Sequence, residues 1–89
     1  MNNAVKNFSF SELPLGHKSM KSIPCLNNKA ILELKKINFI YAYQLLGQYL
    51  ILDNKTKFNQ WLKINVPSLT IKKRTECIQL LESWINNNL

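Results

Sequence analysis

The side chains best suited to chemistry in this sequence are cationic. The chain carries 12 lysine and arginine residues against 5 aspartate and glutamate residues, a net charge of +7 in 89 residues. A positive field of this size attracts polyanions such as nucleic acids. The lysines are spread along the chain rather than gathered on one basic amphipathic helix, which argues against insertion into a membrane surface. The composition therefore predicts a polyanion-binding protein.

Residues for catalysis are scarce. The single histidine, His17, lies in a Pro/Gly loop, and the sequence has no carboxylate pair and no glycine-rich phosphate loop. The two cysteines, Cys25 and Cys77, form no CxxC pair and no Cys/His cluster, so no metal or other cofactor is predicted. We expect a reducing intracellular compartment and two free thiols, with Cys25 the more reactive. The chain is predicted not to be an enzyme and to have no small-molecule substrate.

Helical periodicity runs through most of the chain and predicts one all-α domain over residues 1–89. No signal peptide is apparent, and no apolar run approaches the roughly 18 residues that a membrane-spanning helix needs. A single helical turn is expected at about 20–23. The predicted helices span about 4–12, 28–37, 41–52, 55–64 and 70–86.

One glycine, Gly47, falls inside the apolar helix predicted over 41–52. Glycine inside a helix costs about 1 kcal/mol relative to alanine, so a packing reason is expected. The reason that we predict is a close approach by another backbone, and our hypothesis is that it is the same helix of a second copy in a homodimer; the alternative is a tolerated surface glycine. The predicted interface residues are Phe39, Leu46, Gly47, Leu50 and Trp61.

The segment from residue 19 to 37 has the layout of a helix–hairpin–helix motif. In that motif the hairpin reads Gly-hydrophobic-Gly, because glycines let backbone N–H groups approach a phosphate while the next helix N-terminus adds its positive end. Here Leu26 keeps the hydrophobic centre, whereas Cys25 and Asn27 replace the glycines. Asn27 can cap the following helix or adopt a positive φ. The hairpin is therefore either a phosphate contact or a plain helix connection.

Over nearly its whole length the sequence resembles the barrier-to-autointegration factor family. The resemblance implies a compact bundle of about five short helices with a helix–hairpin–helix-like motif. It also implies a homodimer that binds and bridges double-stranded DNA without reading sequence, in the nucleus and cytoplasm and associated with chromatin. The residues that carry it, in matching order and spacing, are Pro14, Gly16, Lys18, Phe39, Ala42, Tyr43, Leu46, Gly47, Gln48, Trp61, Leu62, Lys63, Cys77, Trp84 and Leu89.

The candidate DNA-binding residues are the hairpin and the cations around it. Lys6 matches the family's N-terminal lysine that reaches the DNA backbone, and Lys29 begins the helix after the hairpin. A basic triplet at 72–74 opens the last helix, near where the family supplies an arginine. The predicted set is Lys6, Cys25, Leu26, Asn27, Lys29, Lys72, Lys73 and Arg74.

The resemblance also implies a second surface, a groove formed by dimerisation that binds LEM-domain proteins of the inner nuclear membrane. Ile51 and the helix around 58–61 would line it, with Asn59 and Gln60 where the family has charged residues. A competing interpretation is a DNA-binding-impaired paralogue that acts as an interaction or heterodimerisation partner of a normal family member. The net charge favours DNA binding, whereas Cys25 and Asn27 favour the paralogue.

Overall fold

Four α-helices and one 3-10 helix build residues 18–89, the part of the chain that the computed structural model describes. Within that part the only β-structure is an isolated bridge between Ser19 and Tyr41, so the all-α prediction is confirmed. Each predicted helix after residue 27 is present, with ends within two residues of those predicted. The helix predicted over 4–12, and with it Lys6, lies outside the described residues. The elements are the 3-10 helix Met20–Ser22, α1 Asn28–Lys36, α2 Ala42–Leu52, α3 Lys55–Asn65 and α4 Ile71–Asn88.

Polar side chains mark the starts of three helices. Asn27, Asn54 and Thr70 each accept a hydrogen bond from the backbone N–H three residues on, at 2.8, 3.0 and 3.2 Å. Such a cap satisfies one of the donors that a helix N-terminus leaves without an intrahelical partner. The predicted cap at Asn27 is confirmed, and Asn27 has φ −90° rather than a positive value.

Left-handed residues end two of the helices. Asn38, with φ 67°, follows α1, and Asp53, with φ 48°, follows α2. Asparagine and aspartate tolerate this conformation better than other residues with a Cβ. These two positions turn the chain sharply, so that successive helices pack back on one another.

One apolar core unites all the elements. The 3-10 helix packs on α1 and α2, α2 packs on α3, and α3 packs on α4. A chain of aromatic rings (Phe39, Trp61, Phe58 and Tyr49) borders the core, with ring centres 5.1 to 5.9 Å apart. No helix within residues 18–89 is long and apolar enough to cross a membrane. The buried apolar residues are Met20, Ile23, Cys25, Leu26, Ala30, Leu34, Ala42, Leu45, Leu46, Phe58, Leu62, Val66, Leu69, Cys77 and Leu81.

Cys25 and Cys77 form a disulfide, so the prediction of two free thiols is wrong. Their Cα atoms are 5.8 Å apart although 52 residues separate them in sequence. Both side chains are buried, at 4% and 0% exposure. The two cysteines come together only when the hairpin packs against α4. No local sequence pattern predicts a contact over this separation. The bond ties the hairpin covalently to α4.

Candidate nucleic-acid interface

The hairpin, residues 24–27, carries the chain from the 3-10 helix into α1. Leu26 is 8% exposed, and its N–H donates to the Ile23 carbonyl at 3.2 Å. The Cys25 side chain also turns inward, towards Cys77. Both residues are therefore buried, and neither side chain faces a ligand.

The N-terminus of α1 is the part of the hairpin region best built to receive an anion. The first intrahelical hydrogen bond runs from the Ile31 N–H to the Asn27 carbonyl at 3.0 Å. Asn28 and Lys29 come before that bond, so their N–H groups have no carbonyl one helical turn earlier to pair with. The Ala30 N–H is engaged by the Asn27 side chain. Two amides and the positive end of the helix dipole thus remain for an anion.

Exposed lysines lie on this helix terminus and on the first turn of α4. Lys29 is exposed on the first turn of α1, and Lys72 and Lys73 are exposed on the first turn of α4. Lys73 lines a cleft between the hairpin and α4 together with Pro24 and Cys25. Its ammonium group also pairs with Glu76 at 3.2 Å, which reduces the charge that it offers to a ligand. The structure therefore brings the hairpin and the start of α4 into one surface.

Arg74 does not belong to that surface, which corrects its placement among the phosphate-binding residues. It is 8% exposed, and its guanidinium donates to Asn59 Oδ1 at 2.9 Å and to the Leu69 carbonyl at 3.0 Å. The arginine thus joins α3, α4 and the turn between them. A sequence signal for this role existed, because Arg74, Cys77 and Leu81 share one face of α4 at i, i+3 and i+7.

The predicted dimer residues divide into two groups. Leu46 is 6% exposed, and the partly buried Phe39 and Trp61 rings pack on each other with centres 5.2 Å apart. Leu50 is 44% exposed, and a Cβ placed on Gly47 would meet no atom within 4 Å. The space beside Gly47 where a side chain would begin is therefore open within the protomer. Two residues that the sequence analysis left out of the interface, Tyr43 and Ile51, are exposed on the same helix at 44% and 78%.

A separate polar cluster joins three helices on another part of the surface. The Tyr49 hydroxyl donates to Glu82 Oε2 at 3.1 Å, and Lys55 Nζ pairs with the same oxygen at 3.0 Å. Burial raises the pKa of Tyr49 above its ordinary value, and the hydrogen bond to Glu82 and its negative charge raise it further. Residues 18–89 contain no group of three or more His, Cys, Asp or Glu side chains placed to hold a metal ion.

Comparison with known proteins places this fold in one family. The profile described as "Barrier to autointegration factor" matches residues 1–88. The barrier-to-autointegration factor of Drosophila melanogaster is 31% identical over 80 residues, which cover 89% of this chain and 88% of that protein. Barrier-to-autointegration factor A of Xenopus laevis is 30% identical over the same shares, and the human protein is 28% identical over 85 residues, 94% of each chain. The chain therefore belongs to the barrier-to-autointegration factor family.

Proposed function

We propose that this protein binds double-stranded DNA without reading its sequence and does so at the N-terminus of α1. The observation that carries the proposal is the pair of backbone N–H groups at Asn28 and Lys29 that have no intrahelical partner. They lie where the hairpin enters α1, next to the exposed Lys29 side chain. Amides and lysines that contact phosphates position a duplex but carry no sequence information. Lys72 and Lys73 extend the contact from α4, and Lys6 adds a further cation from the resemblance to the family.

Homodimerisation through the exposed apolar face of α2 belongs to the same proposal. That face carries Tyr43, Gly47, Leu50 and Ile51, which lie at i, i+4, i+7 and i+8 on one side of the helix. A two-fold axis there gives each dimer two equivalent DNA sites, so one dimer bridges two duplexes. Binding of LEM-domain proteins in the dimer groove, and a chromatin-associated location in nucleus and cytoplasm, are the further expectations that family membership supports.

A second candidate function is that of a DNA-binding-impaired paralogue that pairs with a normal family member. The observation that favours it is the Asn27 cap. The Asn27 side-chain oxygen takes the Ala30 N–H at 2.8 Å and brings a partial negative charge to the place where a phosphate would sit. The Ala30 N–H is therefore not available to bind an anion, and DNA affinity depends more heavily on the charge of the lysines.

Fluorescence anisotropy with two unrelated duplexes of equal length, at several salt concentrations, tests the DNA proposal. We expect equal affinity for both duplexes and a steep loss of affinity between about 50 and 200 mM salt. The Lys29→Gln variant should lower the slope of log K against log salt by about 0.9, the value for one phosphate contact. Lys63→Gln, which removes an equal charge from α3, is the matched control.

Failure of the wild-type protein to bind at about 50 mM salt, where electrostatic binding is strong, would overturn the DNA proposal. The paralogue function would then be tested by co-purification with a DNA-competent family member carrying a different tag. Mixed dimers in that experiment would support a heterodimerisation role.

A further inference from the structure

We propose that the DNA contact continues beyond the hairpin along the outer face of α1, onto a row of four lysines. The row, called the α1 lysine band below, consists of Lys21, Lys29, Lys35 and Lys36. This inference rests on the proposed function and extends its binding site. Three of these lysines, Lys21, Lys35 and Lys36, were not among the DNA-binding residues predicted from the sequence.

The band follows from the way α1 packs. Ala30 and Leu34 are fully buried, which turns the opposite side of the helix to solvent. Lys29 and Lys36 are seven residues apart and so lie on the same side, separated by about 10 Å at 1.5 Å of rise per residue. Lys29, Lys35 and Lys36 border one shallow cleft on this side of α1, which also contains Leu32, 59% exposed.

Lys35 connects this cleft to the 3-10 helix. It borders a second cleft together with Lys21 and the exposed Ile40. Because the 3-10 helix packs on α1, Lys21 lies beside the last turn of α1. The band therefore extends from the N-terminus of α1, along the side that carries Leu32, to the 3-10 helix.

No carboxylate among residues 18–89 forms an ion pair with a lysine of the band. Between residues 18 and 89, the two ion pairs are Lys55 with Glu82 and Lys73 with Glu76, and neither involves the band. Glu33 borders the first cleft, but its Oε1 accepts hydrogen bonds from the Ser68 hydroxyl at 2.7 Å and from the Ser68 N–H at 3.2 Å. That carboxylate is thus directed to the turn between α3 and α4.

A row of single cations fits a phosphodiester backbone better than it fits a small anion. Along a duplex each strand carries one charge per roughly 3.4 Å of axis, so the distance from Lys29 to Lys36 spans about three phosphates. A small anion would need donors that converge on one point, whereas these lysines are spread along a line. The band also offsets the negative end of the α1 dipole, so that the C-terminal half of the helix does not repel DNA.

The salt dependence of duplex binding measures the band directly. Contacts by Lys6, Lys29, Lys72 and Lys73 alone give a slope of about −3.6 per site, and adding the other three band lysines gives about −6.3. We expect the steeper slope for the wild-type protein. The Lys35→Gln/Lys36→Gln variant should flatten the slope by about 1.8 while its helical circular dichroism stays unchanged.

The matched control is Lys57→Gln/Lys63→Gln, which removes the same charge from α3, the helix that packs on α2 and α4. It should leave the slope as in the wild-type protein. The proposal that the band contacts DNA would be overturned if the α1 variant kept the wild-type salt slope, or if the slope flattened equally in both variants. Either result would leave the proposed hairpin site intact. Absence of wild-type binding would instead overturn the proposed function and the band together. Loss of poly-glutamate binding in the α1 variant, with its DNA slope unchanged, would assign the band to an acidic protein surface.

Discussion

Asn27 decides how much backbone the α1 terminus can offer to a phosphate. Its side chain caps the helix by taking the Ala30 N–H, which stabilises the fold but withdraws a donor from the site. The hairpin glycines that are typical of the motif leave all these donors open. A glycine introduced at position 25 would not test this effect cleanly, because replacing Cys25 also removes the disulfide.

Replacing Asn27 with glycine should therefore tighten DNA binding. The Ala30 amide becomes available, while the stability cost of a glycine N-cap is only a few tenths of a kcal/mol. The salt slope should stay the same because no ionic side chain is added. Anisotropy titrations measure both quantities. Asn54→Gly, which removes the equivalent cap of α3, is the control, and equal tightening in both variants would contradict the role of Asn27.

Tyr49 should give unfolding a recognisable pH dependence. Its pKa is raised above the ordinary 10.0 by burial and by Glu82, so the unfolded chain loses the phenol proton first as pH rises. The stabilisation is complete below pH 10 and declines as pH passes through the raised pKa of the folded protein. The difference in unfolding free energy between the wild-type protein and Tyr49→Phe should therefore shrink above pH 10. A difference that stays constant across this range would contradict the assignment.

Local patterns predicted the helices well because their causes are local. The starts of α1 and α3 depend on Asn27 and Asn54, and the end of α1 depends on Asn38, all within one turn of the residues that they affect. The disulfide and the buried role of Arg74 depend instead on contacts between separate elements. The basic triplet at 72–74 and the resemblance to the family both predict a phosphate contact for Arg74, but its place on the buried face of α4 directs its side chain into the protein.

The connection between the hairpin and α4 should contribute strongly to stability. Closing a loop of 52 residues removes conformational freedom from the unfolded chain. Loss of a native disulfide from a small domain typically lowers the free energy of unfolding by about 2–5 kcal/mol. Chemical denaturation of Cys25→Ala/Cys77→Ala should show a loss in that range. Intact mass after alkylation without reductant should show no added label. A labelled native protein, or an unchanged denaturation midpoint in the variant, would contradict the crosslink.

The assembled molecule depends, in our proposal, on the open face of α2. A charge introduced at Gly47 would face its own copy across a two-fold axis, so Gly47→Glu should give a monomer in sedimentation velocity. The Cβ position at Gly47 is unobstructed within the protomer, so the fold itself should tolerate the change. Lys63→Glu, a charge change on the exposed side of α3, serves as the control. An unchanged dimer for Gly47→Glu would remove this residue from the interface.

The disulfide also determines how the protein bears mechanical load. In a dimer that bridges two duplexes, tension enters near residues 25–29 and 72–73 and leaves through α2, which lies inside the 52-residue segment closed by the bond. Two covalent arms, one on each side of α2, then share the force. In the proposed bridging dimer, the bond therefore holds the hairpin and the start of α4 together under load, and its reduction would allow these two DNA-contacting segments to separate.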